Sequence, residues 1–375
     1  MGNWKFKTRC VQPIGLDIGH NSIKMIQLET EEDKVRVLGA NNVRIPVEIG
    51  DDEESKRSFV IEQVRDMLEN GSYRGKEVVS CLPGDKLKIT SLRLAESDTD
   101  QIERVLRKEM NHRFGLDPER DSMDYLVAGS VRQGEELKSE LILFAVDRAT
   151  IESHIEMLAE AGLSPVGIDP MPCALFRSFE RSLRRQEDRE RTVVFIDLGS
   201  TATTVVFGDM GEISFVKQIP TGGERFNREI SSKLGVSLDE VERLRCMLHS
   251  EKEDSQLDPA TRQVIVDTIG SIGEELAKEI ALCLRYYTVT FRGMRLERAV
   301  FTGGEAYESI LMNVLKRQLP VEVEPARPLR GFDLSSENEG VCFDSDRRGL
   351  LCEWAVAVGL GLKVHHRELQ RSQKV

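Results

Sequence analysis

No apolar run in this sequence is long enough to cross a bilayer. Runs such as Leu141 to Val146 and Val193 to Ile196 fall far short of the ~20 residues a spanning helix needs, which argues against a membrane-crossing chain. The seven cysteines (Cys10, Cys81, Cys173, Cys246, Cys283, Cys342 and Cys352) are odd in number and contain no Cys-x-x-Cys pair. That pattern fits a reducing cytosol better than a disulfide framework. The six histidines include no His-x-x-x-His ladder, and His365 and His366 sit in a charged tail, so no transition-metal site is expected. Basic charge is also short: the formal net charge is -12 and the pI about 5.3. Binding a phosphate backbone needs a concentrated basic face, so nucleic acid is not an expected partner.

The ends lack targeting features as well. Met1 to Cys10 carries Lys5, Lys7 and Arg9 with no apolar stretch behind them, unlike a secretory signal. Phe6 stands where a myristoylation motif starting at Gly2 requires Ser or Thr. The last segment, His365 to Val375, has too little apolar surface to lie in a membrane interface, so direct membrane insertion is not expected.

What is present is an ordinary globular composition, 40% hydrophobic and 31% charged over 375 residues. A chain of this length outgrows a single core, so at least two domains and a cleft are expected. Ile14, Leu16 and Ile18 alternate, followed by the polar turn Gly19-His20-Asn21-Ser22 and a second apolar run, Ile23 to Leu28. That is the pattern of a β-hairpin. Val193 to Phe207 repeats the device, with Asp197-Leu198-Gly199-Ser200-Thr201 at its turn. Asp17 precedes Asp197, and Gly19 precedes Gly199, by the same 180 residues. One hairpin with Asp and Gly at its turn is commonplace; two at half-chain separation predict an internal duplication.

Between the copies, helical stripes are expected from Phe59 to Leu68, Ile102 to Phe114 and Ile151 to Leu158. Strands are expected at Val78 to Leu82 and Leu141 to Val146. The charged run Arg181 to Arg191 reads as a connector, Ser335 to Arg348 as a polar loop, and Ile272 to Tyr287 as a long amphipathic helix.

A turn between strands can aim backbone N–H groups at one point and so cradle a phosphate. An Asp at the strand end can hold the water shell of Mg²⁺, which keeps its waters while bridging phosphate oxygens. Asp17 with Gly19, His20, Asn21 and Ser22, and Asp197 with Gly199, Ser200 and Thr201, supply both parts twice. Gly222 and Gly223 follow the second hairpin, where paired glycines permit close backbone approach. Gly303 and Gly304 follow a late strand, where such a pair can lie flat beneath an adenosine. Lys24 can reach phosphate, although a strand Lys more often points outward. Asp169 reads equally as a helix N-cap before Pro170 and as a group positioning water.

These motifs resemble the superfamily of actin, sugar kinases and heat-shock chaperones. Asp17-Ile18-Gly19 and Asp197-Leu198-Gly199 are similar to its two phosphate motifs, and Thr302-Gly303-Gly304 to its adenosine motif. Gly167 to Leu175 and Ala355 to Leu360 look like its two connecting helices. Within the superfamily, Ile14 to Lys24, Met123-Asp124-Tyr125, Glu160 to Asp169 and Leu284-Arg285-Tyr286-Tyr287 resemble the PilM family of the type IV pilus alignment complex, on the branch shared with FtsA. His20 and Asn21 stand where relatives carry small serine-like residues.

The resemblance implies an α/β fold: a duplicated actin-like ATPase fold of two ribonuclease H-like domains with an inserted small α+β subdomain of SHS2 type. It divides the chain into domain I (11–85 and 166–190), the inserted subdomain (86–165), domain II (192–226 and 297–364) and a helical subdomain of domain II (227–296). It also implies ATP and Mg²⁺ in the cleft, with Asp17 and Asp197 holding the metal through water and Lys278 near the ribose. Asp169 is the candidate catalytic group of what is at most a slow ATPase. The implied location is cytoplasmic, at the inner membrane through protein partners. Those partners are the cytoplasmic tail of a PilN-like protein, other platform or motor proteins, and further copies of the chain. An FtsA-like division protein and a small-molecule kinase are the alternatives.

Overall fold

The computed structural model describes residues 9–32, 34–49, 52–95, 99–133, 136–180, 192–209, 212–249, 257–291, 296–334, 343 and 350–363. The connector Arg181 to Arg191, the tail His365 to Val375, most of Met1 to Cys10 and most of Ser335 to Arg348 lie outside the described residues.

Along the chain, β1 (Cys10–Val11), β2 (Ile14–Ile18), β3 (Ser22–Glu31) and β4 (Lys34–Arg44) lead to α1 (Glu53–Asn70) and β5 (Glu77–Ser80). Then come β6 (Lys88–Ala95), α2 (Thr99–Phe114), β7 (Ser122–Gln133), β8 (Glu136–Val146), α3 (Arg148–Glu160), β9 (Ser164–Ile168) and α4 (Met171–Glu180). The second half holds β10 (Thr192–Leu198), β11 (Thr203–Asp209), β12 (Glu212–Ile219), α5 (Gly223–Leu234), α6 (Leu238–His249) and α7 (Pro259–Thr290). It ends with β13 (Leu296–Thr302), α8 (Ser309–Gln318), β14 (Glu322–Pro325) and α9 (Ala355–Gly361). No helix of the described residues is long and apolar enough to cross a membrane.

The duplication is visible in the sheets. The first runs β4-β3-β2-β5-β9, with β1 also on β3, and the second runs β12-β11-β10-β13-β14. In each, the first three strands are antiparallel and the last two join in parallel. The central strands β2 and β10 are buried almost throughout, and Asp17 and Asp197 are the partly exposed residues in them. Covering both faces of a strand makes its sequence a nearly continuous apolar run, which is why the two carboxylates stand out.

The segment between β5 and β9 folds as a three-stranded sheet, β6-β8-β7. One face carries α2 through Leu92, Leu106, Met110, Leu141 and Leu143. The other face does something the sequence did not signal. Ile142, Phe144 and Val146 join the same core as Phe207 and Phe215 of the second sheet, so a module inserted in the first half packs on the second.

The helices that follow each sheet are exchanged in a similar way. Phe179 of α4 stacks on Phe195 of β10 at 4.7 Å, whereas α9 lies on β2, where a Cβ at Gly15 would strike the Ala357 carbonyl oxygen. The two helices touch where Gly359 meets Ala174, because a Cβ at Gly359 would fall on the Ala174 carbonyl oxygen. Arg177 of α4 donates from Nη1 to the Gly359 carbonyl at 2.9 Å and to Asp169 Oδ2 at 2.7 Å.

A side chain at this crossing has no way out, since both obstacles are backbone. Gly359→Ala is expected to cost roughly 3 kcal/mol or more, the upper range of overpacking. Gly270→Ala, within α7 where a Cβ meets nothing within 4 Å, is expected to stabilise by about 0.5 to 1 kcal/mol. Urea denaturation of the two variants beside wild type checks the contrast, and equal effects would overturn the packing argument.

Candidate functional site: a cleft between two matched turns

The turn after β2 closes by Gly19 N–H donating to the Ser22 carbonyl at 2.9 Å, and the turn after β10 by Gly199 N–H donating to the Ala202 carbonyl at 3.1 Å. These bonds are again 180 residues apart. Both turns open into one cavity of about 1170 Å³. Asp17, Gly19, His20, Asn21 and Ser22 line one side; Asp197, Gly199, Ser200, Thr201, Gly303 and Gly304 line the other. Eleven predicted site residues from distant parts of the chain are thus gathered around a single space.

The strand register explains the charges at the floor. Asp17 pairs with Lys24 across the β2–β3 ladder, and Asp197 with Thr204 across β10–β11. Directly paired residues share a sheet face, so Lys24 faces the cleft with Asp17 rather than outward. It is only 7% exposed, with Nζ 2.7 Å from Ser22 Oγ and 3.8 Å from Asp17 Oδ2. Burial raises the Asp17 carboxyl above its usual range, against the opposing pull of Lys24. Burial, reinforced by the Asp17 charge, pushes Asp197 up to about 7. Cys81 adjoins them, its Sγ 3.8 Å from Asp17 Oδ1, and the same burial drives its thiol far up.

Gly303 has φ 91°, a left-handed conformation that suits glycine. A Cβ there would lie 2.8 Å from Asp197 Oδ1, so this glycine also makes room for the carboxylate. Gly222 and Gly223 lie behind the second turn. Gly223 N–H donates to the Gly199 carbonyl at 3.1 Å and Glu224 N–H to that of Ser200 at 2.8 Å. The pair seats the N-terminus of α5 on the back of the second turn instead of lining the cavity.

Two further candidates lie away from the cavity lining. Asp169, 4% exposed, lies outside the cavity lining, with Arg177 on one oxygen and Lys363 Nζ on the other. It ties α4 to the end of α9 rather than facing the cleft. Lys278 projects from α7 into solvent and does not line the cavity.

Residues the sequence reading missed occupy the far end. Glu242, Arg245 and Cys246 of α6 line it. Arg245 donates to Glu305 Oε2 at 2.5 Å, Glu308 Oε2 at 3.2 Å and Asn227 Oδ1 at 2.8 Å. The available signal was Glu-x-x-Arg at helical spacing soon after the glycine pair.

The raised Asp197 carboxyl has a pH consequence of definite sign. The native chain keeps a proton that the unfolded chain, whose carboxyl titrates at the ordinary value of 3.8, has released. Wild type therefore loses stability as pH rises from about 4 to about 7. Asp197→Asn removes that loss. In buffer containing a chelator it is expected to melt higher than wild type at pH 8, with the gain shrinking toward pH 5. A gain independent of pH would exclude a buried charge there.

Comparison with known proteins places this cleft in context. The family model described as type IV pilus assembly protein PilM matches residues 15–365. The cell division protein FtsA of Bacillus subtilis (strain 168) is 22% identical over 356 residues, covering 84% of this chain and 78% of its own. Among solved structures, a PilM-PilN type IV pilus biogenesis complex aligns at a TM-score of 0.74 with 20% identity, covering 94% of this chain and 98% of the other. The ethanolamine utilization protein EutJ of Carboxydothermus hydrogenoformans aligns at 0.54 with 14% identity, covering 94% and 89%. These likenesses confirm the duplicated actin-like fold. With a family model matching nearly its whole length, the chain belongs to the PilM family of type IV pilus assembly proteins.

Proposed function

We propose that this chain grips Mg²⁺-ATP between its two Asp-x-Gly turns and, in that state, captures the cytoplasmic tail of a PilN-like inner-membrane protein. It would thereby act as a cytoplasmic scaffold of the pilus assembly platform. The observation that carries the reading is the pair of matched turns facing one cavity with Asp17 and Asp197 at its floor. The donor set fits the ligand. Two desolvated carboxylates, the second raised further by the charge of the first, are relieved by a dication, and turn N–H groups suit phosphate oxygens. Mg²⁺ held by Asp17 and Asp197 would supply charge neutralisation and ordered water at this floor.

Each half contributes separately. Lys24 places an ammonium beside the first turn, while Glu242, Arg245 and Gly303 to Gly304 border the end suited to a nucleoside. A ligand touching both turns binds best when they approach, and that differential affinity shifts the population toward closure. With both Asp169 oxygens engaged by cations, the reading is binding with slow turnover. The partner rests on the family assignment and on the likeness to a solved PilM–PilN complex.

Titration calorimetry tests this. Wild type is expected to bind one Mg²⁺-ATP, and Lys24→Ala to bind it at least tenfold more weakly, roughly 1.4 kcal/mol. A synthetic PilN-like tail is expected to bind more tightly with ATP and equally so with a non-hydrolysable analogue, with phosphate release below about 1 per second. Absence of nucleotide binding by wild type, or an analogue that fails to mimic ATP, would defeat the proposal.

A further inference from the structure

The cavity continues past the two carboxylates, on the side away from the nucleoside glycines. Strand order shows which side that is. In the second sheet β10, which carries Asp197, has β13 as one neighbour and β11 followed by β12 on its other side. β13 runs directly into Gly303 and Gly304. Register carries a row of side chains the opposite way: Asp197 pairs with Thr204, and Thr204 with Gln218. Directly paired residues share a sheet face, and all three line the cavity. Gln218 therefore stands two strands beyond Asp197, roughly 10 Å along the sheet. A nucleotide whose base end rests on the glycines presents its last phosphate toward that side.

The first half borders this end with the loop that follows β5, where Pro83, Gly84 and Asp85 line the cavity. Gln218 Nε2 donates to the Gly84 carbonyl across the cleft, a long bond at 3.5 Å. A carbonyl only accepts, so the amide nitrogen is the atom that faces Gly84. Oε1, which has no partner among the described residues, is left as an open acceptor. Polar neighbours suit the handling of water less well. Thr204 is taken up beside Asp197, and Cys81 Sγ lies on Asp17 Oδ1. Asp85 is exposed, and its negative charge is repelled by a polyphosphate. An amide is neutral and both accepts and donates, the combination that can hold a water in line for attack at phosphorus.

We infer that Gln218 orients the water that attacks the γ-phosphorus in the slow turnover proposed above. Asp169 does not fill that place, because Arg177 and Lys363 hold its two oxygens. In the step, the water oxygen bonds to phosphorus, the bond to the bridging oxygen breaks with its electron pair leaving on ADP, and the water's proton passes to the released phosphate. Gln218 Oε1 accepts from the water and fixes its direction. An amide takes no proton, so the water is aligned without being activated, and the step stays slow. The inference rests on the ATP reading and names the side chain on which its turnover depends.

Two measurements on the full chain test it, using Gln218→Ala and, for comparison, Asp85→Asn. In single turnover with Mg²⁺-ATP, phosphate release is expected to slow at least tenfold in Gln218→Ala and to stay within twofold of wild type in Asp85→Asn. Calorimetry separates positioning from structure. Gln218→Ala is expected to bind Mg²⁺-ATP and Mg²⁺-ADP within twofold of wild type. Mg²⁺-ADP with aluminium fluoride, which mimics the phosphoryl group in flight with its in-line water, is expected to bind this variant at least tenfold more weakly. A merely structural role would weaken all three ligands alike. Wild-type release or wild-type aluminium fluoride affinity in Gln218→Ala, an equal loss for every ligand, or slow release in Asp85→Asn alone would overturn the inference. So would a wild-type chain that binds Mg²⁺-ATP and releases no phosphate, although the binding part of the ATP reading would then stand. A chain that binds no Mg²⁺-ATP sinks that reading and this inference together.

Discussion

The architecture depends on one close approach of backbone to backbone, Gly359 against Ala174. Two sheets on either side of a cleft must be joined elsewhere, and here a pair of helices crosses backbone to backbone beside the core that the inserted module shares with the second sheet. Each helix continues one half and packs on the other. The buried Asp169 secures the crossing, since its two oxygens take a cation from each helix region, Arg177 and Lys363. A buried carboxylate with two cationic partners is stable only while all three stay in place, so the crossing is held by charge as well as by packing.

That arrangement leaves the cleft floor electrostatically uncomfortable. Burial raises both the Asp17 and Asp197 carboxyls, the Asp17 charge raises Asp197 further, and Lys24 opposes the rise in each. Strain of this kind costs native stability and persists at functional sites because the surrounding fold over-determines it. The same burial that penalises the empty floor increases the benefit of any cation placed there. Stability and affinity are therefore opposite readings of one desolvation term.

Much of this was legible in sequence because it is local. Asp-x-Gly turns, apolar strands and helical stripes are written in neighbouring residues, so the duplicated hairpins, α1, α2, α3 and the centre of α7 follow from periodicity. What sequence reasoning missed is set by register and by partners distant in the chain. The inward orientation of Lys24 follows from its pairing with Asp17, which a sequence does not number. Asp169 is claimed by Lys363, 194 residues away, and no local pattern separates that from a capping role. Gly222 and Gly223 open a helix whose first N–H groups bond to the second turn, a contact between segments more than twenty residues apart. The sharing of one core by the module and the second sheet leaves no mark in either segment, since apolar residues facing a foreign partner look like any others.

The two hairpins match in turn geometry and strand order, yet position 24 carries Lys and its counterpart, position 204, carries Thr. A frame with true twofold equivalence would accept an elongated anion head-first or tail-first with equal energy, and its occupants would be a mixture. A single buried ammonium on one side ends that degeneracy, because the more highly charged end of the anion gains a partner in only one of the two orientations. The duplication supplies the cradle, and its one broken equivalence gives the cradle a direction.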